Sequence, residues 1–132
     1  LDYVKREDSS IVTRKWRSRV FKKELFYKGW MPAHPTFYLK RAHYETFGGY
    51  RTDMRIAADY ELMLRMLLRH GLKAQYIQEV LVKMRIGGES NVSISNRIQA
   101  NKEDRKAWEV NGLKPHFFTT FLKPLSKLKQ FI

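Results

Sequence analysis

The chain reads Ile-Ala-Ala-Asp-Tyr-Glu-Leu-Met-Leu-Arg-Met-Leu-Leu-Arg-His-Gly over residues 56–71, and this stretch decides the fold around it. Two sets of side chains recur at helical spacing, an apolar set at Tyr60, Met63, Leu64 and Leu67 and a charged set at Glu61, Arg65 and Arg69. The pattern predicts an amphipathic helix over residues 58–70 with one buried face. Gly71 stands where such a helix ends, and Glu61 precedes Arg65 by four residues, the favoured order for a helical ion pair.

The segments before this helix alternate between strand and helix patterns. Residues 1–5 and 11–16 are strand-like and flank a polar stretch, which predicts a hairpin with a longer-than-minimal loop. Two short helices are predicted, over 21–27 with a stop at Gly29 and over 41–47 with a stop at Gly48-Gly49.

Two prolines and a β-branched, aromatic run lie between these short helices. Pro32 and Pro35 fix the backbone and remove two N–H donors, so residues 30–35 are expected to be extended. The run at 36–39 predicts a buried strand.

Two more strands and a long helix are predicted after Gly71. Residues 74–77 and 80–86 have strand-like composition, and a polar helix is predicted over 95–110, before Asn111-Gly112. This mixed order predicts an α+β fold, or half of a larger α/β domain, with short strands and hairpins followed by C-terminal helices.

The composition divides the chain into a domain over residues 1–112 and a basic tail over 113–132. The formal charge is +13, from 26 basic and 13 acidic residues, and the excess lies mainly at the two ends. Such a charge favours anionic partners: nucleic acid, anionic lipid or phosphorylated small molecules. The absence of cysteine excludes disulfides and thiolate metal sites within these residues. Because Leu1 opens a strand-like segment without a signal-peptide pattern, we expect the natural protein to extend further upstream.

The tail combines apolar and cationic positions. The apolar ones are Phe117, Phe118, Phe121, Leu122, Leu125 and Leu128, and the cationic ones are Lys114, Lys123, Lys127 and Lys129. An ordinary packing helix and an interfacial segment on anionic lipid both fit this pattern. No acidic residue follows Glu109, which favours the lipid-binding segment over the packing helix.

Asp59 is the main candidate for chemistry. It stands where the central helix begins, so it could cap that helix by accepting backbone N–H bonds. It could equally be a general base, which requires a carboxylate aimed into a cleft where it can take a proton from a hydroxyl. Asp59 and Glu61 do not form a metal site, because residues two apart on a helix point in opposed directions. The four histidines also lack ligand-like spacing, so we expect no metal site within this chain.

His34 and its neighbours form the second candidate site. Aromatic faces beside a few polar groups suit a sugar pocket, and His34 lies within ten residues of Trp30 and Phe37. These aromatics could instead belong to the core. Further along, Arg85 precedes Gly87-Gly88 and could pair with a phosphate or extend its stem along the surface.

Four segments, taken in order over residues 1–112, resemble bacterial family 2 glycosyltransferases of the colanic-acid type. Gly29-Trp30-Met31-Pro32-Ala33-His34-Pro35-Thr36-Phe37-Tyr38 resembles their G-x-M-P-x-H-P-T-F-F segment. Tyr44-x-x-Phe47-Gly48-Gly49-Tyr50 resembles their Y-x-x-[YF]-G-G-[FY] segment. Ile56-Ala57-Ala58-Asp59-Tyr60-Glu61-Leu62 matches I-A-x-D-Y-[ED]-L, and a further segment spans residues 80–91.

The resemblance implies the acceptor-side half of a GT-A domain. Enzymes of this family transfer a sugar from a nucleotide-sugar donor to a hydroxyl acceptor with inversion, in cell-surface polysaccharide biosynthesis. The resemblance also implies that Asp59 is the base that deprotonates the acceptor. The substrate-binding residues that match are Trp30, His34, Thr36, Gly48, Gly49, Tyr60, Glu61 and Arg85. The acceptor would be a saccharide or a lipid-linked molecule. The enzyme would be cytoplasmic and would bind peripherally to the inner face of the membrane.

Two departures from the family pattern limit these expectations. The family often has Asp directly after Gly-Gly-Phe, whereas Arg51 follows Tyr50 here and Asp53 comes two residues later. The chain also contains no Asp-x-Asp motif, through which the family holds Mg or Mn and the donor diphosphate. We therefore expect no cofactor within this chain and no activity from it in isolation.

Two other classes compete with the glycosyltransferase interpretation. A basic nucleic-acid-binding module would need a coherent basic face, but the basic residues are dispersed and no RNA- or DNA-binding motif is found, so nucleic acid is not an expected partner. A membrane-associated interaction module without catalysis would explain the tail, but it leaves the four matched segments as coincidence.

Overall fold

Three short strands form the sheet. β1 (Asp2–Val4) pairs antiparallel with β2 (Val12–Lys15) and parallel with β3 (Lys83–Arg85), in the order β2-β1-β3. The predicted hairpin between the first two strands is confirmed. In the computed structural model, residues 1–86, 94–119 and 122–123 are described, and they show a mixed α+β fold with this sheet and four helices.

The strand prediction after Gly71 is only partly confirmed. Residues 74–77 have no regular structure and are exposed, so the strand predicted there is wrong. Within 80–86, pairing is restricted to β3, whose three residues face Asp2, Tyr3 and Val4. Because β1 is only three residues long, it offers no partner for a longer parallel ladder.

The buried strand predicted at 36–39 is also wrong. His34–Thr36 form a single 3-10 turn in which Pro35 supplies a fixed φ at a position that needs no N–H donor. The Thr36 backbone N–H and hydroxyl both donate to the Ala33 carbonyl, at 2.9 and 2.8 Å. Tyr38 is 70% exposed. Local turn bonds therefore replace the ladder that the β-branched and aromatic composition suggested.

The two short helices that precede the central helix lie where they were predicted. α1 (Lys23–Tyr27) starts two residues later than expected, and α2 (Arg41–Phe47) matches the prediction. Gly29 and Gly48 follow them with left-handed φ values of +75° and +87°, which only glycine adopts without strain. Phe26 is fully buried and anchors α1 to the core.

The central helix spans the predicted range but changes geometry halfway. α3 (Ala58–Met63) continues directly into a π-helical segment, Leu64–Arg69. Within that segment the His70 N–H donates to the Arg65 carbonyl, five residues back, at 2.9 Å. The predicted apolar face is buried, with exposures of 2% or less at Tyr60, Met63, Leu64 and Leu67. The π-helical geometry was not predicted.

α4 (Ile94–Val110) packs against α3 and confirms the predicted long helix. Trp108 is fully buried, and its indole N–H donates to the Tyr60 hydroxyl at 3.0 Å. Its ring also lies 4.9 Å from that of Tyr27, centroid to centroid. Burial of a large apolar side chain stabilises a fold by about 1.5–3 kcal/mol, so Trp108 is a principal anchor of α4.

The described part of the tail packs on the domain. Thr119 is buried and donates its hydroxyl to the Tyr27 carbonyl at 2.8 Å. The Lys123 ammonium pairs with the carboxylate of Asp104 on α4. A Cβ on Gly29 would lie 2.5 Å from the Lys123 backbone nitrogen, so this close approach requires glycine.

Two predicted features lie mainly outside the described residues. The loop around Gly87-Gly88 is one of them. The other is most of the predicted membrane-binding segment, at 120–121 and 124–132. The boundary between a domain ending at 112 and a separate tail stays a prediction.

Candidate active site

Asp59 and His34 meet at the surface where α3 begins. The His34 Nδ1 lies 3.0 Å from the Asp59 Oδ2, and the Tyr60 backbone N–H donates to the Asp59 Oδ1 at 2.8 Å. The side chains of Asp59 and His34 are 26% and 40% exposed. The contact with His34 and the bond from the Tyr60 N–H therefore hold the carboxylate while it stays open to solvent.

The 3-10 turn and the hairpin position His34. The turn follows Ala33, which is fully buried, and Pro35 restricts its backbone. The ring of His34 meets the buried Trp16 edge-on, with 6.2 Å between centroids and 77° between planes. Trp16 directly follows β2, so the hairpin, the turn and α3 converge on the His34–Asp59 pair.

Glu103 of α4 binds the backbone immediately before α3. The helix begins after Ala57, whose side chain cannot cap. The Glu103 Oε2 accepts from the backbone N–H groups of Ile56 and Ala57, at 2.7 and 2.8 Å. Gln99 donates to the other Glu103 oxygen at 2.9 Å. Asp59 lies inside the first turn and accepts the Tyr60 N–H, so the prediction that it accepts backbone N–H bonds where this helix begins is confirmed.

The hydrogen bonds of Glu103 also affect its ionisation. Burial alone would raise the pKa of Glu103, but hydrogen bonds from Gln99 and from the backbone at Ile56, Ala57 and Arg55 outweigh burial and lower it. The carboxylate of Glu103 is thus tied to the start of α3, which leaves Asp59 with acceptor capacity to offer a ligand.

Asp59 has the geometry that a general base needs. Each carboxylate oxygen has two acceptor positions; Oδ1 accepts the Tyr60 N–H, and Oδ2 contacts the His34 ring. The carboxylate therefore has room to accept a hydrogen bond from a substrate hydroxyl.

Glu61 is placed in the interior, although it was predicted to bind substrate. It is 1% exposed, and its oxygens accept from the Arg65 Nε and Nη2 at 3.0 and 2.9 Å. The amide of Asn111 donates to it at 3.1 Å. The predicted ion pair with Arg65 is confirmed, but burial prevents Glu61 from contacting a substrate in this structure.

The same Arg65 holds the turn that follows α2. Its Nη1 donates to the Phe47 and Gly48 carbonyls at 2.5 and 2.9 Å, and its Nη2 donates to the Gly49 carbonyl at 2.6 Å. These carbonyls lie at the C-terminal end of α2, where a cation is favourable. A Cβ on Gly48 would come within 2.9 Å of the Arg65 Nη1. A substrate-binding role for Gly48 and Gly49 stays a prediction.

Tyr60 is a core residue. It is 2% exposed, and its hydroxyl accepts the indole N–H of Trp108. Burial, reinforced by the charge of Asp104, raises the pKa of Tyr60 well above its usual value. As with Glu61, burial prevents direct contact with a substrate here.

The remaining predicted residues differ in exposure. Trp30 is half-buried, and Arg85 is exposed at the end of β3. Thr36 uses its hydroxyl for the Ala33 carbonyl. Their substrate-binding roles stay predictions.

Two tyrosines, one half-buried and one exposed, were not predicted as site residues. The rings of Tyr44, on α2, and Tyr50, after the Gly48-Gly49 turn, lie 6.3 Å apart and are inclined by 32°. Tyr50 is 55% exposed. Burial raises the pKa of Tyr50, and the Tyr44 hydroxyl and the charge of Asp59 raise it further. The signal in the sequence was their placement on either side of a glycine turn, which can bring two such rings together.

The described residues do not provide a metal centre. Among residues 1–86, 94–119 and 122–123, no group of three histidine or carboxylate side chains could hold an ion. The residues present thus do not fit the Mg or Mn of the resembled family. Within the same part of the chain, no helix has both the length and the apolarity to cross a bilayer.

The function of the site is inferred from Asp59, His34 and the residues around them. Their arrangement offers an oriented, accessible carboxylate beside aromatic rings. A scan against protein-family models, a search of curated proteins and a search of solved structures each find no match to this chain.

Proposed function

We propose that this chain is the acceptor-side half of an inverting, GT-A-fold glycosyltransferase of family 2, with Asp59 as its catalytic base. The observation that carries the proposal is the Asp59 carboxylate, which His34 and the Tyr60 N–H orient while 26% of the side chain remains exposed. The four resembling segments add support, since two of them supply His34 and Asp59 themselves.

In the proposed reaction, Asp59 takes the proton of an acceptor hydroxyl as the hydroxyl oxygen attacks the anomeric carbon of the donor sugar. The new C–O bond forms as the bond to the nucleoside diphosphate breaks, and that group leaves with the bonding electrons. Attack opposite the leaving group inverts the anomeric centre. The His34 contact and the Tyr60 N–H hold the two Asp59 oxygens in place, and each oxygen keeps an acceptor position that can face the acceptor hydroxyl.

The donor would be held by residues outside this chain. The 132 residues contain no Asp-x-Asp motif, so the donor half of the enzyme is expected to supply it. In the proposed arrangement, Trp30 and Thr36 line the acceptor pocket and Arg85 contributes charge near a phosphate. The formal charge of +13 suits phosphorylated substrates and a lipid-linked acceptor at the inner face of the membrane.

The test is Asp59→Asn in an enzyme that joins this chain to its donor half. Asn keeps the size of the side chain and loses the basic oxygen, so kcat should fall about 10²- to 10⁴-fold with little change in acceptor KM. Initial rates measured at saturating donor separate the two constants.

A matched control is Asp53→Asn. This exposed acid pairs with Arg51 and Lys106 away from the His34–Asp59 pair, so its loss should leave turnover near normal. Near-normal turnover of Asp59→Asn would remove the base assignment.

A further inference from the structure

A cleft of about 380 Å³, here called the lysine cleft, lies between the start of α1 and the turn at Gly71. Its volume falls in the range of small-ligand sites, which begins at about 300 Å³. The side chains that line it are Phe21, Lys23, Leu67, Leu72, Lys73 and Ala74. Neither His34 nor Asp59 is among them, so this cleft is a different site from the one described above.

The apolar side chains of the lysine cleft are anchored in the core. Leu67, in the π-helical segment, is only 2% exposed. Phe21 packs edge-on against the fully buried Phe26, with 5.9 Å between centroids and 73° between planes. On the other side, the Leu72 N–H donates to the Met66 carbonyl at 3.0 Å. The apolar surface of the cleft is therefore held in place from both sides.

Two lysines from different elements give the cleft its charge. Lys23 begins α1 and Lys73 follows the turn at Gly71, and both are exposed. Neither is paired with a carboxylate among the residues that the structure describes. Glu24 is adjacent to Lys23 in sequence but does not line the cleft. A phosphate monoester carries a charge of about −1.5 to −2 at pH 7, which matches two ammonium groups.

The rest of the lining determines what the other part of a ligand has to be. Apart from the two lysines, the described side chains that line the cleft are apolar. The hydroxyls of a sugar or the ring nitrogens of a nucleobase would lose their water there without gaining a side-chain partner, which opposes binding. An apolar group gains by the same transfer.

We propose that the lysine cleft binds a phosphate monoester of an apolar alcohol, with the phosphate at Lys23 and Lys73 and the apolar group against Phe21 and Leu67. The proposal goes beyond the proposed function and does not depend on it. A small soluble ester and the headgroup region of a lipid such as phosphatidic acid share this chemistry.

The test is an NMR titration of the isotope-labelled chain with phenyl phosphate as the probe. We expect saturable shifts of the Phe21, Leu67 and Leu72 signals. Inorganic phosphate lacks the apolar group and phenol lacks the charge, so each should bind at least about 10-fold more weakly. Lys23→Gln and Lys73→Gln should each weaken the binding of phenyl phosphate about 2- to 5-fold, the range for a solvent-exposed ion pair.

Lys28→Gln is the matched control, because it removes the same charge from an exposed lysine that follows α1 and does not line the cleft. Its affinity for phenyl phosphate should stay within about 1.5-fold of wild type, since only the long-range field changes. Retained amide dispersion in each variant establishes that the fold is intact. No saturable shift with phenyl phosphate, or equal affinities of wild type and both cleft variants, would overturn the proposal.

Flotation with vesicles distinguishes the two sources of the phosphate ester. If a lipid is the source, the double variant Lys23→Gln/Lys73→Gln should float less than wild type with vesicles that contain phosphatidic acid. With phosphatidylglycerol vesicles of the same surface charge, the two should float alike, because that lipid is a phosphate diester. Equal flotation of the double variant and wild type on both kinds of vesicle, beside weakened binding of phenyl phosphate, assigns the cleft to a soluble ester.

Discussion

At the scale of single residues, two carboxylates only two positions apart have opposite environments. Asp59 reaches solvent and contacts His34, whereas Glu61 is 1% exposed and is bound by Arg65 and Asn111. The difference follows from helix geometry, because residues two apart face opposed directions on α3. Of the two carboxylates, Asp59 is therefore the one open to solvent, and Glu61 holds the arginine that binds the turn after α2.

Also at this scale, we predict that His34→Ala lowers kcat at least about 10-fold and up to about 10²-fold, with a smaller change in acceptor KM. The reason is that Asp59 would keep only the Tyr60 N–H to orient its carboxylate, and small misplacements of a reacting group slow reactions by such factors. His34→Asn should recover part of the loss, since an Asn amide N–H can replace the His34 Nδ1 donor. Steady-state rates of the enzyme with its donor half measure both. Equal impairment of the two variants would contradict a positioning role.

At the scale of elements, Glu103 links α4 to the start of α3, and its ionisation should contribute to stability. We predict that Glu103→Gln lowers the free energy of unfolding by about 1–2 kcal/mol at pH 7, because its hydrogen bonds lose a charged acceptor. Because the folded state lowers the pKa of Glu103, its contribution is fully present above the ordinary value of 4.5 and is lost as pH falls through the folded pKa. Urea unfolding at pH 7 and at successively lower pH should show wild type and variant converging on the acid side.

Glu109→Gln is the control for this prediction, because Glu109 is an exposed acid on the same helix. Its free energy of unfolding should stay within about 0.5 kcal/mol of wild type at every pH. If the difference in unfolding free energy between wild type and Glu103→Gln stays the same at acid pH, the charge of Glu103 does not contribute to stability.

The elements also show which parts of the fold the sequence can predict. The central helix and α2 were predictable because apolar periodicity and glycine stops are local signals. The strand expected at 36–39 was not, since its composition fits a strand but none of the described residues pairs with it, and local bonds to Ala33 form a turn instead. The bonds from Ile56 and Ala57 to Glu103 join residues 47 and 46 positions apart, and no local pattern reports such contacts.

At the scale of the whole molecule, the chain combines a charge of +13 with an exposed aromatic pair near its C-terminus. Phe117 and Phe118 are 81% and 63% exposed, and their rings stand at 89° to each other. Lys114 is close in sequence and exposed, whereas Lys123 is paired with Asp104. The described part of the tail therefore both packs on the domain and presents apolar surface, so packing and membrane contact are compatible.

We predict that this surface binds anionic membranes, as the proposed lipid-linked acceptor would require. The chain should float with vesicles of phosphatidylglycerol and phosphatidylcholine, and binding should decrease as salt is raised, because each basic residue near an anionic surface contributes about 1 kcal/mol that ions screen. The double variant Phe117→Ser/Phe118→Ser should float much less, since it loses the apolar groups that enter the interface.

Val20→Ser is the matched control, because Val20 is an exposed apolar residue, at 61%, outside the tail. Equal flotation of the double variant and wild type, or equal binding to vesicles of phosphatidylcholine alone, would assign the exposed phenylalanines another role.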